Sequence, residues 1–188
     1  MSAILLVRHA STSWSGRRYC GRSDPPLSDA GRRAAATLAA TLIGELPRDT
    51  RIVTSPSRRA RQTADAIASA AELATPEIDA RWMEADVGAI EGRTFDELSA
   101  AYPDLASAIL AGATAVDWPG GETAIAFATR VATAWLAVAT TWRPTVVVSH
   151  AGPIRLALTL AGHPPEDSAV LAPATAIRVP IGLALRTP

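Results

Sequence analysis

Apolar positions along this chain come in two kinds of run. Ile4-Leu5-Leu6-Val7 and Val146-Val147-Val148 are short and unbroken, the pattern of strands covered on both faces, as in a parallel sheet. Arg51-Ile52-Val53-Thr54 predicts another short strand, residues 77–80 a weaker one, and residues 176–179 and 183–185 short strands at an antiparallel edge. Between the strands, apolar residues recur at helical spacing. Ala35, Leu38, Ala39, Leu42 and Ile43 share one face of a helix capped by Ser28. A second helix opens at Ser55-Pro56, with Pro56 in its first turn. Residues 95–102 and 105–110 form a helical stretch broken at Pro103, and residues 154–161 form the last helix. The longest helix covers residues 124–142, with Phe127, Val131, Trp135 and Val138 as its core stripe. This alternation predicts a layered α/β fold, taken as a three-layer α/β/α sandwich with a mostly parallel central sheet and an antiparallel edge strand. No repeat or second domain is visible, so residues 1–188 are read as one domain.

The polar residues that break these runs carry the chemistry. The first strand ends in Arg8-His9 and the strand after Thr145 ends in Ser149-His150. In open α/β sheets ligands bind at the carboxyl ends of strands, so two central parallel strands would bring both imidazoles to one crevice. His163, between Gly162 and Pro164, is read as a turn residue. The loop after the first strand is long and holds Arg17, Arg18 and Arg22. Arg58, Arg59 and Arg61 crowd the start of the second helix, where the macrodipole favours anions. Cations there make sense if they meet a bound anion. Arg58 and Arg61 share a helix face, and Arg59 points elsewhere.

Composition narrows the partners. Formal net charge is zero, which disfavours nucleic acid and anionic membrane surfaces. All 18 basic residues are arginine, which argues against Schiff-base chemistry and a P-loop. Cys20 is the only cysteine, so no intrachain disulfide forms. No secretory signal or membrane-length apolar run is visible, and the expected location is cytoplasmic. Two histidines with Glu84 suggest a zinc site, but HxxxH and HxH spacings are lacking and Arg8 would repel the cation. A Ser-His-Asp hydrolase lacks its GxSxG elbow. Cations, two histidines and a carboxylate suit phosphoryl transfer better.

Five ordered blocks sharpen this reading. Arg8-His9-Ala10 with Thr12 and Trp14 resembles the RHG signature of the histidine phosphatase (phosphoglycerate mutase-like) superfamily. Ser55-Pro56 through Arg59-Ala60 and Gln62-Thr63-Ala64 is similar to its SPxxRAxQTA block. Glu84, Gly88 and Glu91-Gly92, then Gly120-Gly121-Glu122-Thr123, then Val148-Ser149-His150-Ala151-Gly152 resemble its remaining three. The resemblance implies that His9 is a nucleophile forming a phosphohistidine, that Arg8, Arg59 and His150 bind the phosphoryl group, and that Glu84 protonates the leaving group and then activates water. It places Ser15, Cys20, Gly21 and Ala151 beside substrate and implies no metal or other cofactor. Its pattern has Gly at Ala10 and Ala151, Glu at Ser11, Asn at Ser15 and Leu at Trp82.

The expected activity is that of a phosphomonoesterase acting on a small organic phosphate. A phosphoglycerate mutase and a non-catalytic binder of phosphoproteins are the alternatives. Residues 93–118, expected as a small helical cap, hold the single cation Arg93 against Asp96, Glu97, Asp104 and Asp117, which disfavours a second anionic subsite. Their apolar residues Phe95, Leu98, Tyr102, Leu105 and Leu110 suit an apolar or aromatic leaving group, or for the most part pack the cap helices. The run 18–24, with Pro26-Leu27-Ser28, looks most like the α-ribazole phosphatase branch. Oligomeric state is not legible.

Overall fold

The unbroken apolar runs become strands with both faces covered. The computed structural model describes residues 3–163 and 171–180. Its strands are β1 (Ala3–Arg8), β2 (Arg51–Thr54), β3 (Glu77–Ile78), β4 (Thr145–Ser149) and β5 (Ala176–Pro180). Its helices are α1 (Asp29–Leu42), α2 (Arg58–Ala70), α3 (Phe95–Ala101), α4 (Pro103–Leu110), α5 (Ala124–Ala139) and α6 (Ala151–Leu160). The sheet order is β3-β2-β4-β1-β5. The pairs β1–β4, β2–β4 and β2–β3 are parallel, and β5 runs antiparallel to β1 at the edge. The strand expected at 183–185 lies outside the described residues.

Side-chain alternation divides the strands between two cores. Ile4, Leu6, Val53 and Val147 pack with Phe127, Val131 and Trp135 of α5, Ile154 and Leu158 of α6, and Leu98 and Ala106 of α3 and α4. Leu5, Val7, Ile52, Val146 and Val148 pack with Ala39 and Leu42 of α1 and Ala60, Ala64 and Ile67 of α2. The result is the expected three-layer α/β/α sandwich. Ile4, Leu6 and Val7 are fully buried, each contributing roughly 1.5–3 kcal/mol. That burial fixes the strand whose end carries His9.

Four helix boundaries differ from expectation. α4 opens at Pro103 rather than 105, because Pro103 takes the first helical position, where a missing N–H costs nothing. Pro56 lies outside α2, because Ser57 is the extended N-cap and Asp24 Oδ1 accepts the Arg58 N–H at 2.6 Å. α6 starts at Ala151 rather than 154, because His150 is its extended N-cap and Pro153 sits in the first turn, where no N–H is missed. α5 stops at Ala139, with Thr140 as C-cap and Trp142 in the left-handed region. Among the described residues, no helix is long and apolar enough to cross a membrane.

Candidate active site

The parallel register pairs Arg8 with Ser149 and Thr54 with Val148, so β1, β4 and β2 end side by side. His9 and His150 follow directly, with ring centroids 5.0 Å apart. His9 is 7% exposed. Its Nδ1 lies 2.7 Å from the Ala10 carbonyl. A carbonyl only accepts, so Nδ1 carries the proton and Nε2 keeps its lone pair. Ala10 N–H is held in turn by Thr63 Oγ1 at 3.1 Å, which itself donates to Arg59 O at 2.8 Å.

Arg59 is buried, as its separate helix face requires, while Arg58 and Arg61 are exposed. It donates to the carbonyls of Ser23 at 2.7 Å, Gly21 at 3.1 Å and Cys20 at 3.3 Å. Glu91 grips the same loop from its other polarity, accepting from Gly21 N–H at 3.1 Å and Arg22 N–H at 2.9 Å. Arg8 Nη1 donates to Leu171 O. Glu84 accepts from Ala85 N–H at 3.1 Å and Gly152 N–H at 3.3 Å.

A cavity of about 260 Å³ opens on these groups. Its lining includes the polar groups Arg8, His9, Arg59, Glu84 and Arg155 and the aromatic rings of Trp14, Tyr19, Trp118 and Phe127. Ser15, Cys20 and Ala151 reach the wall. Ser15 Oγ accepts the Thr12 N–H at 2.9 Å. Burial pushes the Cys20 thiol up to about 11, so it stays protonated. Two placements depart from the sequence reading. Gly21 is absent from the cavity wall, its N–H and C=O taken by Glu91 and Arg59. His150 is also absent from it; buried beside His9, it meets Ser55 Oγ at 2.8 Å through Nε2. The expected lid residues are displaced too. Leu98 is buried in the core and Leu110 is 74% exposed, while Ile109, residues 113–116 and Trp118 line the cavity instead.

Sequence reasoning passed over Arg155, which α6 carries to the cavity one turn past His150, and the half-buried pair Arg130–Glu122. Arg130 is the single charge in the sixteen-residue α5, three residues after buried Phe127, a visible signal.

The two buried imidazoles set an acid limit. His9 is lowered from 6.5 to about 3 by burial and then by the Arg59 charge, with the Ala10 hydrogen bond opposing and Arg8 adding a smaller push. Burial lowers His150 as well, ahead of His9 and Arg59. The unfolded chain therefore takes up these protons first as pH falls. Stability is complete above about pH 6.5 and is lost from there down to about 3. His9 alone should cost roughly 3 kcal/mol near pH 4. Urea denaturation at neutral and acid pH is expected to show a smaller acid loss for His9→Gln than for wild type; equal losses would place the acid sensitivity elsewhere.

The histidine phosphatase superfamily (branch 1) model matches residues 4–178. The chain belongs to the histidine phosphatase superfamily. It is 38% identical over 108 residues to the uncharacterized phosphatase PhoE of Bacillus subtilis, covering 55% of this chain and 53% of PhoE. It is 35% identical over 161 residues to the bifunctional protein Rv2228c of Mycobacterium tuberculosis, covering 84% and 43%. With GpmB of Klebsiella pneumoniae, a candidate phosphoglycerate mutase, it shares 41% over 103 residues, covering 53% and 45%. The chain thus spans about half the length of these relatives. Among solved structures, a mycobacterial glucosyl-3-phosphoglycerate phosphatase in complex with VO3 superposes with TM-score 0.75 at 28% identity, covering 95% of this chain and 90% of that one. A candidate α-ribazole-5'-P phosphatase from Escherichia coli gives 0.71 at 27%, covering 89% and 83%.

The departures from the histidine phosphatase pattern are absorbed locally. Ala10 still offers its carbonyl to His9. Ser11 O accepts from Ser28 N–H at 3.0 Å and lies against Gly31, where a Cβ would collide with it. Trp82 is fully buried, and its carbonyl accepts from Ser149 Oγ at 2.7 Å.

Proposed function

We propose that this histidine phosphatase hydrolyses phosphate monoesters through a phosphohistidine at His9. The observation that carries the reading is the His9–Ala10 hydrogen bond, which ties the proton to Nδ1 and leaves Nε2 as the nucleophilic nitrogen beside Arg8 and Arg59. In this mechanism Nε2 attacks phosphorus while the P–O bond to the leaving group breaks. Glu84, protonated, gives its proton to the departing oxygen. The same carboxylate then removes a proton from water, which attacks phosphorus, breaks the P–N bond and releases phosphate. Arg8, Arg59 and Arg155 balance the charge on the nonbridging oxygens. His150 stays neutral beside His9, so it supports the site without adding charge.

The cavity favours a leaving group with an aromatic body. Tyr19 and Trp118 meet edge to face with centroids 5.8 Å apart, and Trp14 also lines the cavity. A nucleoside-like monophosphate, of which α-ribazole 5'-phosphate is one, has this shape, and a structural neighbour is a candidate α-ribazole-5'-P phosphatase. GpmB motivates the mutase alternative. Against it, the wall residues from 109 to 118 are uncharged. The test is kcat/KM on a nucleoside-like monophosphate against 3-phosphoglycerate, with a mutase assay containing 2,3-bisphosphoglycerate. The first substrate should be preferred and mutase turnover negligible; efficient interconversion of 2- and 3-phosphoglycerate would reverse the reading.

Gly152 supplies a check on Glu84. A Cβ at 152 would fall inside contact distance of Glu84 Oε1 and 3.3 Å from Phe127 Cζ. The carboxylate is the end of a flexible side chain and swings away at little cost to the fold. Gly152→Ala should therefore lower kcat by about 10-fold or more with Tm nearly unchanged. Wild-type kcat in the variant would show that Glu84 does not need its present position.

A further inference from the structure

The segment from Arg81 to Asp86 carries Glu84 but has no ladder to hold it. After a 3₁₀ turn over Ala80–Trp82 the chain runs on without regular secondary structure. Five of its six carbonyls, all but that of Ala85, nevertheless accept a hydrogen bond from elsewhere in the chain. Arg130 Nη1 donates to Arg81 O at 2.9 Å and Met83 O at 2.7 Å, and Nη2 donates to Glu84 O at 3.1 Å. Ser149 Oγ takes the carbonyl between them, that of Trp82. The remaining donors of the guanidinium go to Glu122, from Nε at 2.6 Å and Nη2 at 2.7 Å. All five N–H groups of Arg130 are thus used. Glu122 closes the other end. Its Oε2 accepts Asp86 N–H at 3.3 Å, and its own N–H donates to Asp86 O at 2.8 Å.

We infer that Arg130, with Glu122 as its counter-ion, is a positioning residue for Glu84, fixing the backbone from which that carboxylate reaches the cavity. The inference rests on the proposed role of Glu84 as proton donor. Arg130 does not line the cavity and touches no reacting atom. The pair is 18% and 11% exposed at its side chains, so its two hydrogen bonds act with little solvent screening. The guanidinium carbon also lies 5.0 Å from the centre of the Phe127 ring, itself on the cavity wall. A lysine keeps the charge but not the fork, and one ammonium cannot span three carbonyls and a bidentate carboxylate.

The experiment compares kcat and KM on p-nitrophenyl phosphate, whose leaving group needs little protonation, and on glycerol 2-phosphate, whose leaving group needs much. Arg130→Lys should lower kcat on glycerol 2-phosphate by about 10²-fold and on p-nitrophenyl phosphate by less than about threefold, with KM held. In a Glu84→Gln background the same change should cost nothing further. Equal losses on both esters, or losses that multiply with Glu84→Gln, overturn the inference. If Arg130→Lys does not fold, Glu122→Gln carries the same selective loss at about tenfold. Should Glu84→Gln discriminate between the esters while both Arg130→Lys and Glu122→Gln do not, only the positioning role fails. Should Glu84→Gln itself not discriminate, the role of Glu84 fails and the inference falls with it.

Discussion

His9→Ala is expected to abolish turnover, and the wild-type protein is expected to carry phosphate on His9 during the reaction. Removing the residue that forms the covalent bond costs on the order of 10⁵–10⁶ in kcat where this has been dissected in enzymes. Here the loss should approach that scale, because His150 is a poor substitute: it is buried, off the cavity wall, and committed to Ser55 through Nε2. Rapid quench with labelled substrate should trap an intermediate that is stable to base and labile to acid. The His9→Ala protein should form none. Ser55 and Ser57 lie close to the His150 imidazole, which neighbours His9, so the identity of the labelled residue matters. Label on serine or aspartate, or burst kinetics without label, would remove His9 from the role.

Glu84→Gln should lower the rate by about 10²–10⁴-fold, the usual worth of an acid-base group, or roughly 3–5 kcal/mol of barrier. Glutamine keeps the shape and an acceptor oxygen for one of the two amides, those of Ala85 and Gly152, which bond to different carboxylate oxygens, so the variant should fold. The loss should shrink for esters with good leaving groups, which depart without a proton. A uniform loss across p-nitrophenyl and alkyl phosphates would reassign the acid. Asp86 then becomes the candidate, since both oxygens of Glu91 already hold the loop at Gly21 and Arg22.

The parts of this protein written as contiguous runs were legible in its sequence. Four apolar residues in a row need two covered faces, and that placed β1 and β4 at the centre of the sheet. His9 and His150 were visible because each interrupts such a run. Helix ends were less legible: whether Ser57 or His150 enters a helix depends on one extended residue and a distant acceptor such as Asp24. The lid was ambiguous for a related reason. Leu98 and Leu110 are both apolar, but one fills the core and the other faces solvent. Helical spacing alone does not say which neighbour a face will meet. Arg130 stood out as a lone charge in its helix and its counter-ion Glu122 is near in sequence, but Arg130 and Glu91 were illegible as supports because the backbone groups they hold lie 46 to 70 positions away, where no residue type advertises a hydrogen bond. A sequence shows a donor without its target.

The position of β1 has a consequence for synthesis. Its two hydrogen-bonding edges are satisfied by β4 and β5 alone, Leu6 facing Val147 on one side and Ile177 on the other. β1 therefore finds its neighbours only after nearly all of the rest of the described chain has been made. At about 5–20 residues per second that is a delay of roughly ten to thirty seconds. During it, an apolar segment with both edges bare is exposed to holding chaperones and to pairing with another nascent copy. A messenger truncated between the codons for His9 and His150 would yield a chain that carries His9 but never builds its surroundings.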